Sequence, residues 1–178
     1  PLEQKQFNIP SSDLHLGEKI GSGGCGWIFE ATLGASTIVA AKEIISTTID
    51  PDNLRDFEHE ARMLTQMNHP CVLRVLGFCI KPPKESKDNQ ERRYIVTEFA
   101  PNGSLESVVA GAEKISDILQ QTESGAIKDM LQLPFTKTQA LEWALQVASG
   151  MEYLHRKGYV HRDMKPQNVL LNKSNDAL

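Results

Sequence analysis

Apolar residues in the first hundred positions recur in short runs that are typical of β-strands. Four of these runs cover 13–20, 27–33, 36–45 and 94–100. A fifth run, from Val72 to Ile80, follows the helix-breaking triplet Asn68-His69-Pro70. This spacing predicts a sheet in the N-terminal half of the chain.

Two longer segments have the periodicity of helices. Residues 50–67 begin with Asp-Pro-Asp, which offers a capping acceptor and a proline in the first turn. Residues 136–156 begin with the capping-box pattern Thr-x-x-Gln, carry a broad apolar stripe, and are followed by Gly158 as a stop signal. We expect further helices to cover that stripe, so the chain expressed alone should be prone to aggregation.

The overall composition is that of an ordinary globular protein. The 178 residues are 40% hydrophobic and 24% charged, with a net charge of −4. This charge gives no broad basic surface, so we expect no nucleic-acid partner. No apolar run approaches the ~18 residues of a membrane span, and we expect no membrane segment.

The cysteines and the first residue add two expectations. Cys25, Cys71 and Cys79 show neither a paired framework nor metal-ligand spacing, which predicts reduced thiols and a cytoplasmic location. The chain begins with Pro1 rather than methionine, which suggests a fragment of a longer protein.

Residues 159–171 carry the strongest chemical signal. Asp163, Lys165 and Asn168 fall within six residues, in a segment where Pro166 excludes a regular helix. The carboxylate could accept the proton of an attacking hydroxyl, and the ammonium group could contact a transferring phosphoryl group. The carboxamide oxygen suits a hard cation such as Mg²⁺. A polar loop with accidental spacing is the alternative interpretation.

These residues carry a family resemblance. The segment His161-Arg162-Asp163-Met164-Lys165-Pro166-Gln167-Asn168 resembles the catalytic loop of eukaryotic protein kinases, and its lysine is similar to the serine/threonine form. Residues 151–155, Met-Glu-Tyr-Leu-His, resemble the tyrosine-kinase-like group of these kinases. The resemblance implies an α+β, bilobal fold with an antiparallel N-lobe sheet, one N-lobe helix and a helical C-lobe. It also implies transfer of the ATP γ-phosphoryl group to a serine or threonine hydroxyl of a protein substrate, with Mg²⁺.

A glycine-rich loop, Gly21-Ser22-Gly23-Gly24-Cys25-Gly26, follows the first strand. A helix should follow it in a dinucleotide-binding unit, whereas residues 27–33 are aromatic and β-branched and predict a strand. This arrangement favours the phosphate-covering flap of a kinase, and a purely structural turn is the alternative. The resemblance implies nucleotide contacts from Ile20, Gly21, Ser22, Gly23, Gly24, Cys25, Gly26, Ile28, Ala40, Lys42, Thr97, the backbone of Glu98 and Ala100, Ser104 and Leu170.

Lys42 interrupts the apolar run 36–45, and a buried lysine is costly unless it is paired. The run resembles the Val-Ala-x-Lys strand of kinases, in which the lysine holds the nucleotide phosphates. Helical spacing places Glu60 on the same face as Phe57 and Leu64, which makes it the candidate partner of Lys42. The alternatives are a solvent-facing Lys42 on an edge strand and a surface or capping role for Glu60.

The resemblance suggests a domain organisation. We expect residues 1–12 to form a lead-in, 13–100 an N-lobe with hinge, and 101–178 part of a C-lobe with a polar insertion around 107–135. The Asp-Phe-Gly segment that follows the catalytic loop in the family does not occur in 172–178, which leaves the activity of this polypeptide open. The alternative function is that of a pseudokinase or nucleotide-binding interaction module without phosphoryl transfer.

Overall fold

The computed structural model describes residues 7–23, 26–44, 63–86, 90–121 and 135–178. The chain divides into two compact units. The first unit comprises residues 1–68 and 73–99, and the second comprises residues 69–72 and 100–178.

Within the described ranges, the first unit contains a five-stranded antiparallel sheet in the order β1-β2-β3-β5-β4. A glycine in the left-handed region, Gly34 with φ 61°, forms the tight turn between β2 and β3. The sheet confirms the predicted α+β fold class with an antiparallel N-lobe. Its strands are β1 (Leu14–Gly23), β2 (Gly26–Leu33), β3 (Thr37–Ile44), β4 (Val75–Lys81) and β5 (Arg92–Glu98).

The start of β4 differs from the prediction. The apolar pattern predicted a strand from Val72, whereas β4 begins at Val75. The difference arises because residues 69–72 belong to the second unit, so the strand begins only after the chain has returned to the first unit.

One face of the sheet forms the core of the first unit. Alternate residues along the strands point to this face, as the two-residue period of a β-strand requires. Burial of each aliphatic side chain contributes about 1.5–3 kcal/mol. The buried members are Leu14, Ala31, Val39, Ala41, Cys79, Tyr94 and Val96.

The second unit contains two described helices, α1 (Leu105–Gln121) and α2 (Lys137–Arg156). The predicted cap of α2 is confirmed, since the Thr136 hydroxyl oxygen accepts a hydrogen bond from the Gln139 amide at 3.1 Å. The predicted stop is confirmed as well, because Gly158 has φ 84°. Much of the expected insertion around 107–135 belongs to α1, and residues 122–134 lie outside the described part of the chain.

Trp143 of α2 is the centre of the second core. Its indole nitrogen donates to the carbonyl oxygen of Asn175 at 2.6 Å, which satisfies the polar atom of this buried ring. The ring of Phe135 lies against it with centroids 5.2 Å apart. Val169 and Leu171 complete the core from the segment after the predicted catalytic loop.

The segment 69–72 packs on α2 at close range. A Cβ atom at Gly150 would lie 2.3 Å from the carbonyl oxygen of Cys71, so only glycine allows this approach. The His69 ring stacks on Tyr153 with centroids 4.9 Å apart, and its Nδ1 accepts from the Cys71 amide at 3.1 Å. The segment is thereby fixed to the C-terminal half of the helix.

Part of the predicted apolar stripe of α2 is open to solvent. The side chains of Leu141 and Leu145 are 62% and 63% exposed, whereas Trp143 is buried. Among the residues that the structure describes, no helix combines the length and apolar character needed to cross a bilayer. The predicted helix 50–67 lies outside these residues except for its end, where 63–65 is helical.

Candidate active site

The predicted catalytic loop, residues 161–168, is a compact turn in the second unit. Pro166–Asn168 form a single 3₁₀ turn in which the Asn168 amide donates to the carbonyl oxygen of Lys165 at 2.9 Å. Arg162 has φ 63°, a left-handed conformation that costs a non-glycine residue of order 1 kcal/mol or more. The surrounding hydrogen bonds therefore hold the loop in a defined, strained shape.

The three predicted catalytic side chains converge within this turn. The Asn168 carboxamide nitrogen donates to the Asp163 carbonyl oxygen at 2.7 Å and to its carboxylate Oδ2 at 3.0 Å. The Lys165 ammonium lies 2.9 Å from the same Oδ2. One carboxylate oxygen is thus held by two donors, and Asp163 Oδ1 and Asn168 Oδ1 are the oxygens left for other partners.

This arrangement favours the charged form of Asp163. Its pKa is lowered from 3.8, first by the hydrogen bond from Lys165 and then by the hydrogen bond from Asn168. The carboxylate is therefore fully ionised near neutral pH and able to accept a proton or a hydrogen bond from a hydroxyl group.

Glu106 on α1 is a neighbour of the loop that the sequence reasoning missed. Its Oε1 accepts a hydrogen bond from the Gln167 side-chain amide. Both residues were visible in the sequence, but they are 61 positions apart and no local spacing connects them. The contact adds a carboxylate to the surface beside the catalytic turn.

The turn before α1 is joined to the segment after the catalytic loop. The Leu105 amide donates to Val169 O and the Leu171 amide donates to Gly103 O, both at 2.8 Å. This bridge places Ser104 directly beside Leu170, two residues that we predicted to contact the nucleotide. The Ser104 hydroxyl oxygen also accepts from the Ser107 amide at 3.3 Å, so it caps α1.

In the first unit, the glycine-rich loop is the tip of the β1–β2 hairpin. Gly23 pairs with Gly26, Ser22 with Trp27, and Gly21 with Ile28. A strand therefore follows the last glycine, as predicted, and the helix of a dinucleotide-binding unit is absent from the described residues 26–33. Of the predicted contacts, Ile20 is 48% exposed, and Gly24 and Cys25 lie outside the described ranges.

The strand register brings further predicted nucleotide contacts to one face of the sheet. Ile28 is paired with Lys42, and Ala40 is paired with Thr97. Ala40 and Lys42 are two residues apart, so all four side chains share the face opposite the core. Gly21, paired with Ile28, extends the same face toward the glycine loop.

Lys42 lies on β3, which is paired on both sides, with β2 and with β5. The alternative that placed Lys42 on an edge strand is therefore excluded. Its predicted partner, Glu60, lies outside the described residues, and the ion pair stays a prediction. The structure instead shows a different ion pair one residue away, between the buried Glu43 and Arg92. The burial of Glu43 could have been predicted from the two-residue period of β3, which places Val39 and Glu43 on the same, core-facing side.

Glu98, at the end of β5, is tied to Arg74. The Glu98 amide donates to the Arg74 carbonyl oxygen at 3.0 Å, and the Arg74 amide donates to Glu98 Oε1 at 2.7 Å. The Glu98 carbonyl oxygen accepts from the Thr97 hydroxyl at 3.0 Å. In the second unit, the carbonyl oxygen of Ala100 accepts from the Gly103 amide at 3.4 Å.

An apolar cavity of about 390 Å³ lies behind the catalytic loop in the second unit. Trp143 and Phe135 line it, together with Met164, Lys165 and Pro166. Lys165 borders both the cavity and the polar face of the loop, whereas Asp163 and Asn168 do not line the cavity. Among the described residues, no group of three or more His, Cys, Asp or Glu side chains is arranged to hold a metal ion.

Comparison with known proteins agrees with this geometry. The family model described as protein tyrosine and serine/threonine kinase matches residues 14–177. The human tyrosine-protein kinase FRK is 29% identical over 170 residues, which are 96% of this chain and 28% of that protein. A receptor protein kinase-like protein of Arabidopsis thaliana is 29% identical over 89% of this chain and 19% of its own length.

The human serine/threonine-protein kinase TNNI3K is 27% identical over 97% of this chain and 18% of its own length. The chain thus spans less than a third of each of these relatives. The family match nevertheless covers nearly the whole chain, and the structure has the antiparallel five-stranded sheet expected of the family. The chain belongs to the protein tyrosine and serine/threonine kinase family.

Proposed function

We propose that the protein containing this chain is an ATP-dependent serine/threonine kinase of the tyrosine-kinase-like group. The observation that carries the serine/threonine assignment is the contact of 2.9 Å between the Lys165 ammonium and Asp163 Oδ2. A lysine at this position puts a cation beside the catalytic carboxylate, where a transferring phosphoryl group would develop charge. The group assignment rests on the resemblance of residues 151–155.

In the proposed mechanism, Asp163 accepts the proton of the attacking serine or threonine hydroxyl. Its depressed pKa keeps the carboxylate ionised at neutral pH, and the hydrogen bond from Asn168 fixes its orientation. Lys165 contacts the transferring phosphoryl group and stabilises its charge. Asn168 Oδ1 would supply one oxygen ligand to Mg²⁺, which neutralises phosphate charge when bound.

The proposed ATP contacts include residues of the first unit and residues of the second unit. In the first unit, the face that carries Ile28, Ala40, Lys42 and Thr97 supplies apolar contacts and one cation for the phosphates. The glycine-rich hairpin would cover the phosphates, since its bare backbone permits a close approach. Ser104 and Leu170 would contribute from the second unit, and Glu60 would pair with Lys42.

The experiment is a transfer assay on the full-length protein with γ-labelled ATP and Mg²⁺, followed by phosphoamino-acid analysis. We expect phosphoserine or phosphothreonine. Lys42→Ala and Asp163→Asn should each abolish transfer, and a folded Lys42→Ala variant with unchanged turnover would remove Lys42 from the mechanism. Phosphotyrosine would overturn the specificity, and nucleotide binding without transfer would favour a pseudokinase.

We also propose a cytoplasmic location. Cys71 and Cys79 are free thiols in the structure, as expected for a reducing compartment. Fractionation of cells that express the full-length protein tests this location.

A further inference from the structure

A short extended segment, Phe7–Ile9, lies along the outer edge of β4, and we call it the edge segment. The Phe78 amide donates to Phe7 O at 2.9 Å, and the Ile9 amide donates to Phe78 O at 2.8 Å. Asn8 is thereby paired with Phe78 in parallel orientation. The expected lead-in thus includes a piece of backbone that extends the sheet beyond β4.

The edge of β4 is shaped for this occupant. A Cβ atom at Gly77 would lie 2.3 Å from Phe7 O and 3.2 Å from the Cδ1 and Cγ1 atoms of Ile9, so a larger residue would displace the edge segment. Ile9 is half-buried and packs against the core of the sheet, while Asn8 is exposed. The site therefore selects backbone pairing together with an inward apolar side chain, which is how strand addition works.

A continuous hydrogen-bonded path connects this edge to the proposed adenine contacts. β4 pairs with β5 from Lys81↔Arg92 to Val75↔Thr97. Immediately before β4, Arg74 exchanges two hydrogen bonds with Glu98. A displacement of β4 would therefore move the backbone of Glu98 and the side chain of Thr97.

We propose that the β4 edge is a strand-addition site filled by the chain's own edge segment, and that its occupancy is coupled to nucleotide affinity through Arg74 and Glu98. The strand-addition site is argued from the contacts of Phe7, Ile9, Gly77 and Phe78 described above. The coupling to nucleotide affinity rests in addition on the proposed function. Coupling is reciprocal, so bound nucleotide must also strengthen the docking of the edge segment.

The amide of Phe78 is a direct probe of docking, because its hydrogen bond goes to the edge segment. We compare amide hydrogen exchange at Phe78 in the full-length protein with Ile9→Asp and Asn8→Asp, which place the same charge one residue apart. Ile9→Asp should accelerate exchange roughly tenfold or more, and Asn8→Asp should leave it unchanged. Equal rates in all three proteins would overturn the strand-addition site. Exchange that slows with protein concentration would assign the edge segment to a second copy and overturn the intramolecular site.

Calorimetric titration with ATP and Mg²⁺ tests the coupling on the same proteins. Ile9→Asp should weaken ATP binding roughly threefold or more, and saturating ATP should slow exchange at Phe78 by a similar factor. Accelerated exchange with unchanged ATP affinity would overturn the coupling alone. Absence of ATP binding in the unmodified protein would instead refute the proposed function, while exchange at Phe78 would still decide the strand-addition site.

Discussion

The side-chain amide of Asn168 donates to Asp163 twice, at 2.7 Å to its carbonyl oxygen and at 3.0 Å to its carboxylate Oδ2. The same nitrogen thus fixes both the backbone and the side chain of the proposed base. Orientation of the carboxylate does not depend on Lys165 alone.

We predict that Asn168→Ala lowers kcat of the full-length kinase roughly 100-fold, the lower end of the contribution of a positioned general base. The substitution removes both hydrogen bonds to Asp163 and the proposed oxygen ligand to Mg²⁺. Gln167→Ala is the control, because its side chain contacts Glu106 and not Asp163, and kcat should change less than about threefold. Equal losses in steady-state assays of the two variants would contradict the positioning role.

The titration of Asp163 should depend on Lys165. Because the pKa of Asp163 is lowered, chiefly by the Lys165 hydrogen bond, Lys165→Met should raise it toward 3.8. The stability linked to this group is present above pH 3.8 and is lost as pH falls through the lower folded pKa. NMR titration of the Asp163 carboxyl carbon measures the change, and Lys173→Met controls for the loss of a positive charge. A midpoint that stays fixed in Lys165→Met would refute Lys165 as the chief cause of the lowered pKa.

Gly150→Ala should destabilise the protein by about 2 kcal/mol, because the new methyl group would lie 2.3 Å from the Cys71 carbonyl oxygen. Gly111→Ala is a matched change in α1, where, apart from the neighbouring backbone of the helix, no atom of the described residues lies within 4 Å of the new methyl group. It should stabilise the protein by about 0.5–1 kcal/mol through higher helix propensity. Urea unfolding monitored by circular dichroism distinguishes the two, and equal shifts would contradict the close packing.

Removing Arg92 should leave the Glu43 carboxylate buried without its ion-pair partner. The Glu43 side chain is 3% exposed and that of Arg92 is 34% exposed. We expect Arg92→Met to cost about 3 kcal/mol in the free energy of unfolding, and the double variant Glu43→Met/Arg92→Met to cost less. A double variant at least as unstable as Arg92→Met would contradict this prediction. It would show that the loss of stability comes from the missing ion pair and not from the unpaired buried charge.

The exposed apolar stripe of α2 should cause the chain of residues 1–178 to self-associate. Leu141 and Leu145 are both more than 60% exposed on successive turns of the helix. The double variant Leu141→Gln/Leu145→Gln should shift the sedimentation velocity profile toward monomer, whereas Glu152→Gln should not. A monodisperse monomer with a sharp melting transition in the unmodified chain would contradict this expectation.

The sheet and the catalytic turn could be predicted largely from local patterns. Alternation located the strands, and the spacing of Asp163, Lys165 and Asn168 located three side chains that the structure brings together. Such features are readable because the residues that form them are close in sequence. The register that aligns Ile28, Lys42 and Thr97 on one face follows once the strands are paired.

Long-range and backbone contacts could not be predicted in this way. The edge segment docks mainly through backbone hydrogen bonds, which leave little signature in side-chain polarity. The contact between Glu106 and Gln167 joins distant elements. The predicted pair of Lys42 with Glu60 stays a prediction, because Glu60 lies outside the described residues.

The two hydrogen bonds between Arg74 and Glu98 have a consequence for inhibitor chemistry. Because the Glu98 amide already donates to Arg74, the backbone of Glu98 itself offers only its carbonyl oxygen to a ligand at the proposed adenine position. That oxygen accepts from the Thr97 hydroxyl and has one more lone pair to offer. Amino-substituted heterocycles can donate to it, whereas scaffolds that present only acceptors there would face lone-pair repulsion. A fragment screen should therefore be weighted toward donors at this point of the ring.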